Sequence, residues 1–119
     1  MKVDKVKHYL NLNGKYLKEA EELIEKKDYV QASEKLWGDA AEMVKAVAEK
    51  RGKHLRTHND LWDFVRELDM EHPEWGLRYL FLQAGALHSN FYEDELPGWA
   101  VESGAESVKA FIGKLKSLL

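Results

Sequence analysis

Apolar positions recur at helical spacing along almost the whole chain. Val3, Val6, Leu10, Asn13, Leu17, Ala20 and Ile24 alternate three and four residues apart, which predicts a first helix over about 3–26 with one inward seam. A second helix is predicted from Tyr29 to Lys50. In it Ala32, Leu36, Ala40, Met43 and Val47 form one stripe, and Trp37, Ala41, Val44 and Ala48 form another beside it. A face that wide touches more than one neighbour. Gly52 supplies the stop signal. Thr57 to Asp60 reads as a capping box, with Asp in place of the usual Glu, that opens a third helix carrying Leu61, Trp62, Val65 and Leu68 on one side.

Pro73 suits the first turn of a fourth helix running to about Tyr92. Its sequence from Trp75 to Glu93, WGLRYLFLQAGALHSNFYE, is apolar on nearly every side, which predicts a helix sequestered inside a bundle. Pro97-Gly98 starts a last helix with Val101, Ala105, Val108, Ile112, Leu115 and Leu119 inward. No stretch keeps the period-two alternation of a strand. Short connections imply antiparallel neighbours. The expectation is an all-α protein: one antiparallel, up-down bundle of four to five helices forming a single domain over residues 1–119.

The totals narrow the chemistry. The chain has no cysteine, which removes disulfides, thiolate nucleophiles and Cys-containing zinc sites together. It has no apolar run of spanning length and no signal-peptide pattern, so a cytoplasmic protein without membrane contact is expected. A net charge of −3 argues against general polyanion binding. The segment KRGKHLRTH, Lys50 to His58, departs from that balance: Lys50, Arg51, Lys53 and Arg56 stand there with two histidines and no acid. These four are candidate phosphate contacts for nucleic acid; the alternative is a solvated loop whose cations favour a helix C-terminus. His54 and His58 have metal-pair spacing, but Thr57 caps a helix between them and no third ligand is evident, so no metal is expected. Arg51 and His58 are separated by Gly52 and a turn, so one helix does not hold both. There is no glycine-rich phosphate loop, dinucleotide fingerprint or nucleophile elbow, and no cofactor is implied.

On the fourth helix Arg78, Phe81, Gly85, His88 and Tyr92 lie along one stripe. Gly85 lowers helix stability by about 1 kcal/mol relative to alanine, which points to a close approach against its backbone. His88 has two readings, a core-edge histidine hydrogen-bonded to its surroundings or a general acid/base, since imidazole changes charge near neutral pH.

The segments YLKEA (16–20), DYVQASEKL (28–36), AVAE (46–49) and above all ALHSNFYE (86–93) resemble the PaREP family of archaeal helical proteins, related to the broader HEPN superfamily (higher eukaryotes and prokaryotes nucleotide-binding domains). The resemblance extends over nearly the whole chain. It implies an up-down bundle, often dimeric. Active members resemble metal-independent ribonucleases with an Arg-x(4–6)-His motif, in which histidine moves a proton at the ribose 2′-hydroxyl and arginine stabilises phosphate charge. His88 matches the motif histidine. Gln83, five positions earlier, stands where an arginine would be, and it can donate a hydrogen bond but cannot neutralise charge. Asn90 and Tyr92 follow His88, and Arg78 lies ten positions before it. The reading is therefore a non-catalytic HEPN-like binding or assembly module, homodimeric, with Arg78, Asn90 and Tyr92 lining a groove near His88 for a nucleotide, RNA or a protein partner. The alternatives are a metal-independent ribonuclease using His88 and Gln83, and an interaction subunit of a toxin–antitoxin or nucleotidyltransferase-type pair.

Overall fold

The computed structural model describes residues 2–119, with side chains from Asp4 onward; the seam position Val3 lies outside the described side chains. Five α-helices follow one another: α1 Lys2–Glu25, α2 Tyr29–Lys50, α3 His58–Glu71, α4 Leu77–Glu93 and α5 Gly98–Lys116. Among the described residues there is no strand.

The breaks between helices have local causes. α1 ends with Lys27 in the left-handed region (φ 61) and Asp28 N–H donating back to Leu23 O at 2.8 Å, a Schellman closure that turns the chain into a hairpin. Asp28 then caps α2 by accepting from Gln31 N–H. α2 ends in the same way, with Gly52 at φ 79 and Lys53 N–H donating to Ala48 O. The capping box is complete: Asp60 N–H donates to the Thr57 hydroxyl oxygen, and Asp60 accepts from Thr57 N–H.

Pro73 does not open α4. It begins a separate 3₁₀ turn, Pro73–Trp75, and α4 starts only at Leu77 after Gly76 at φ 65. The left-handed residue between the two segments breaks the run of helical dihedrals that the apolar pattern alone does not register.

α2 is the hub. It packs against α1, α3, α4 and α5, and nearly all of Ala32–Glu49 is buried. Leu36, Met43, Val44 and Val47 meet Val65 and Leu68 of α3, Phe81 and Leu87 of α4, and Val108, Phe111 and Leu115 of α5 in one core. The fourth helix is thus not the sequestered one. Tyr79 is 75% exposed, Leu82 56% and Tyr92 68%. α4 packs on α2, α5 and α3 with one side and leaves the other in solvent. Gly85 meets only the Trp62 side chain, at ordinary van der Waals distance (3.5 Å from a Cβ built there). Tighter approaches are made at Gly98 of α5 against the Tyr29 ring, at Gly104 of α5 against Leu87 (3.0 Å from a Cβ built there) and at Gly38 of α2 against the Tyr16 ring (3.1 Å).

Candidate functional site

A groove of about 450 Å³ runs along α2, walled by α1 on one side and by the start of α3 on the other. Its floor is Gly38 and Ala41, and its rim carries Glu34, Lys35, Glu42 and Lys45. Tyr16 is the α1 wall, Arg56, Thr57, His58 and Leu61 are the α3 wall, and Phe91 of α4 closes one end. The residue without a side chain at position 38 lets Tyr16 lie flat on the helix, so this wall depends on that glycine.

The capping box sets the α3 wall. Asp60 accepts the backbone N–H of Arg56 at 2.9 Å as well as that of Thr57, and these two bonds hold its carboxyl below the usual range. The loop is thereby fixed so that His58 is the first residue of α3. Its ring meets Trp37 at 5.4 Å and His88 at 5.3 Å, both edge-on.

His88 comes to the same place from α4. Its Nδ1 lies 2.8 Å from Glu34 Oε1, and its ring stacks on Trp37 at 5.0 Å. Tyr92 meets the His88 ring edge-on at 5.4 Å. The His88 side chain keeps 26% of its surface exposed, so it is neither sealed nor free. A carboxylate accepts only, so Nδ1 donates to Glu34, and in the neutral ring Nε2 is the acceptor. Two imidazoles, one oriented by a carboxylate, thus stand together over a tryptophan beside a cation-bearing groove.

The cations divide unequally. Arg51 is tied to Glu71 by two bonds, at 2.8 and 2.9 Å, and Lys53 grips Glu67 at 2.7 and 2.9 Å. The Arg51–Glu71 bonds raise the guanidinium pKa and lower that of the carboxyl. Both pairs strap the 51–57 loop to α3. Lys50 is exposed at the end of α2. Arg56 lines the groove, and its guanidinium makes no ion pair among the described residues. Lys35 reaches Glu19, and Lys45 reaches Glu42, each at a loose 3.4 Å. His54 bonds Glu49 at 2.9 Å and does not join His58. Among the described residues no group of three His, Asp or Glu is placed to hold a metal ion.

Three residues expected beside His88 face elsewhere. Gln83 accepts from the Ser107 hydroxyl on α5. The guanidinium of Arg78 donates to Asp69 on α3 at 2.7 Å. Asn90 is 1% exposed and fully engaged: its Nδ2 donates to the Ser33 hydroxyl, and its Oδ1 accepts from Glu95 and Leu96 N–H, which closes the end of α4. Its carboxamide holds the α4–α5 turn rather than facing the groove. Sequence reasoning passed over Glu34, Trp37 and Tyr16. In the sequence His58 stands out only for its metal-pair spacing with His54 and its place in the basic segment. The capping box was the available signal, since it marks the residue that opens α3.

Comparison with known proteins bears on family and fold. A model of the archaeal PaREP1/PaREP8 family matches residues 8–112. A crystal structure of a protein from Sulfolobus solfataricus superimposes with a TM-score of 0.79 at 24% identity, covering 90% of this chain and 95% of that one. The likeness is one of fold. No curated protein matches the chain. No helix among the described residues is long and apolar enough to cross a membrane.

Proposed function

The chain belongs to the archaeal PaREP1/PaREP8 family, and from that premise we propose that it is a small, non-catalytic binding and assembly module of HEPN type. Its α1–α2–α3 groove takes a phosphate-bearing ligand, a nucleotide or a short stretch of RNA. The observation that carries this reading is the convergence of Arg56, Lys35, Lys45 and His58 with the rings of Tyr16 and Trp37 on one groove of about 450 Å³. Guanidinium and ammonium groups meet phosphate, and the half-buried Tyr16 ring offers a face on which a base stacks, while buried Trp37 backs the groove beneath His88. The volume falls within the usual span for small-molecule sites, roughly 300–1,000 Å³. Arg56 is the leading phosphate contact because its guanidinium is in no ion pair among the described residues. Arg51 and Lys53, already paired, contribute less, and Lys50 adds long-range attraction only. Tyr92 extends the aromatic edge beside His88.

Titration of wild type and Arg56→Ala with mononucleotides and a short RNA tests the reading. Binding that weakens steeply with salt and drops at least tenfold in the variant supports it. Equal affinity in both proteins, or no binding in either, removes it.

The ribonuclease reading keeps one specific support, the His58–His88 pair with Glu34 behind it. In that reading His88 Nε2 takes a proton from the ribose 2′-hydroxyl. His58 returns one to the leaving oxygen, and Arg56 supplies the charge that Gln83 lacks. RNA cleavage in EDTA that disappears in His88→Ala and in His58→Ala supports it; intact RNA across pH 5–8 excludes it.

The assembly part of the proposal rests on Tyr79 and Leu82 of α4, large apolar groups that share a helix side and are mostly exposed. A homodimer sediments at twice the 13.8 kDa chain mass, and Leu82→Glu returns it to monomer.

A further inference from the structure

α1 differs from the other helices in having one principal neighbour, α2, along which it lies. Half-buried Leu10, Leu17, Leu23 and Ile24 give it a moderate apolar grip. Beside the loose Lys35–Glu19 pair, its polar grip includes one buried contact. Asn13 donates through Nδ2 to the backbone oxygen of Asp39 at 2.7 Å and to its carboxylate Oδ1 at 2.5 Å. Asp39 is 0% exposed, and its second oxygen, Oδ2, has no hydrogen-bond partner. Asn13 lies one helical turn before Tyr16, and Asp39 directly follows Gly38. The contact therefore sits one step from the place where Tyr16 rests on Gly38 and walls the groove.

A buried carboxylate with one oxygen unpartnered is tolerated protonated and disfavoured charged. The central helix cannot yield, because four neighbours surround it. The peripheral helix can. We propose that α1, docked over Asp39 through Asn13, is a latch on the groove wall, and that ionisation of Asp39 releases it, because burying the charge under α1 costs more than the Asn13 bond returns, so that α1 loosens and the groove widens as pH rises. The proposal rests on the groove as the ligand site only for its functional consequence; the latch itself is a property of the unliganded chain.

The groups that act on Asp39 are few. Burial pushes its carboxyl up to about 7; Lys116 of α5 and the Asn13 bond oppose that shift, and Glu21 of α1 adds to it. A carboxyl raised in this way favours the docked form while it is protonated. Docking is strongest below the ordinary aspartate range, and the advantage drains away as pH rises towards 7.

Hydrogen exchange of the amides of residues 9–20, corrected for intrinsic rate, tests the latch without ligand. Between pH 5 and pH 7.5 these amides lose at least tenfold in protection in wild type, while Leu36–Val47 keep theirs. Asp39→Asn, which stays neutral and still accepts from Asn13, shows no such loss. Glu21→Gln and Lys116→Gln, both at surface positions, move the midpoint of the loss down and up in pH respectively. Unchanged protection in wild type, an equal loss in Asp39→Asn, or a midpoint indifferent to both surface variants overturns the latch. If Asp39→Asn does not fold, the surface pair decides alone. Failure of nucleotide or RNA binding leaves this result standing, and failure of the latch leaves the groove reading standing.

Discussion

α2 and α4 exchange the roles that their sequences advertise. α4 carries the greasier run, with three leucines, two phenylalanines and two tyrosines among Tyr79–Tyr92, yet Tyr79, Leu82 and Tyr92 are in solvent. α2 carries seven acids and lysines, yet Asp39, Glu42 and Glu49 are buried on it and its alanines are surrounded. Hydropathy reports how much apolar surface a helix offers. Centrality depends on how closely neighbours can approach, and small residues permit four helices to pack around one. The acids on α2 follow from that position: each finds a partner on a neighbour or nearby, Asp39 with Asn13, Glu49 with His54 and Glu42 with Lys45.

This contrast can be broken by substitution, starting with the core. Leu36→Ala in α2 destabilises the protein by roughly 2–5 kcal/mol in denaturant titration, since the side chain is fully buried and the cavity cannot collapse from four sides. If the loss is under about 1 kcal/mol, α2 is not the hub.

The next effect depends on pH. Asp39 is raised to about 7, above its unfolded value, so the protonated form stabilises the fold and that contribution is lost as pH climbs from about 4 to 7. The slope from this group approaches about 1.4 kcal/mol per pH unit. Asp39→Asn flattens it and melts higher than wild type at pH 8; an unchanged slope shows that the group is not buried as described.

Paired glycine substitutions sharpen the comparison further. Gly38→Ala in α2 pushes on the Tyr16 ring, and that overpacking offsets the gain of about 1 kcal/mol in helix propensity that the substitution also brings. Gly85→Ala in α4 meets Trp62 at ordinary distance and gains up to about 1 kcal/mol of helix propensity. In thermal melts Gly85→Ala should rise above Gly38→Ala; equal shifts remove the claimed difference in packing. The smallest effect belongs to Leu82→Ser on the exposed side of α4, within about 0.5 kcal/mol for the isolated chain.

Much of the fold was legible because helix limits have local chemistry. Thr57–Asp60 announces α3, Gly52 ends α2, and Asp28 opens it, each through bonds spanning only a few residues. The start of α4 was not, because a left-handed Gly76 after a 3₁₀ turn leaves no mark on periodicity. The site was legible in part. His88 does stand beside a groove, but its companions come from other helices: Glu34 is 54 residues away in sequence and His58 is 30. The spacing within one helix carries no information about the register between helices. For the same reason Gln83, Arg78 and Asn90 share the His88 helix yet bond to α5, α3 and the α4–α5 turn. The basic loop illustrates a further limit. Charge along the chain does not show which cations a neighbouring helix has already neutralised, as Glu71 and Glu67 do for Arg51 and Lys53.

The central claim is that the groove over Gly38, and not the basic loop, receives a phosphate-bearing ligand. Amide shift mapping during titration with a mononucleotide, followed by a short RNA, tests it most directly. The predicted result is a set of saturable shifts at Tyr16, Gly38, Lys45, Arg56 and His58, with Arg51 and Lys53 unmoved. Shifts confined to Lys50–Lys53, or none at any concentration, contradict it.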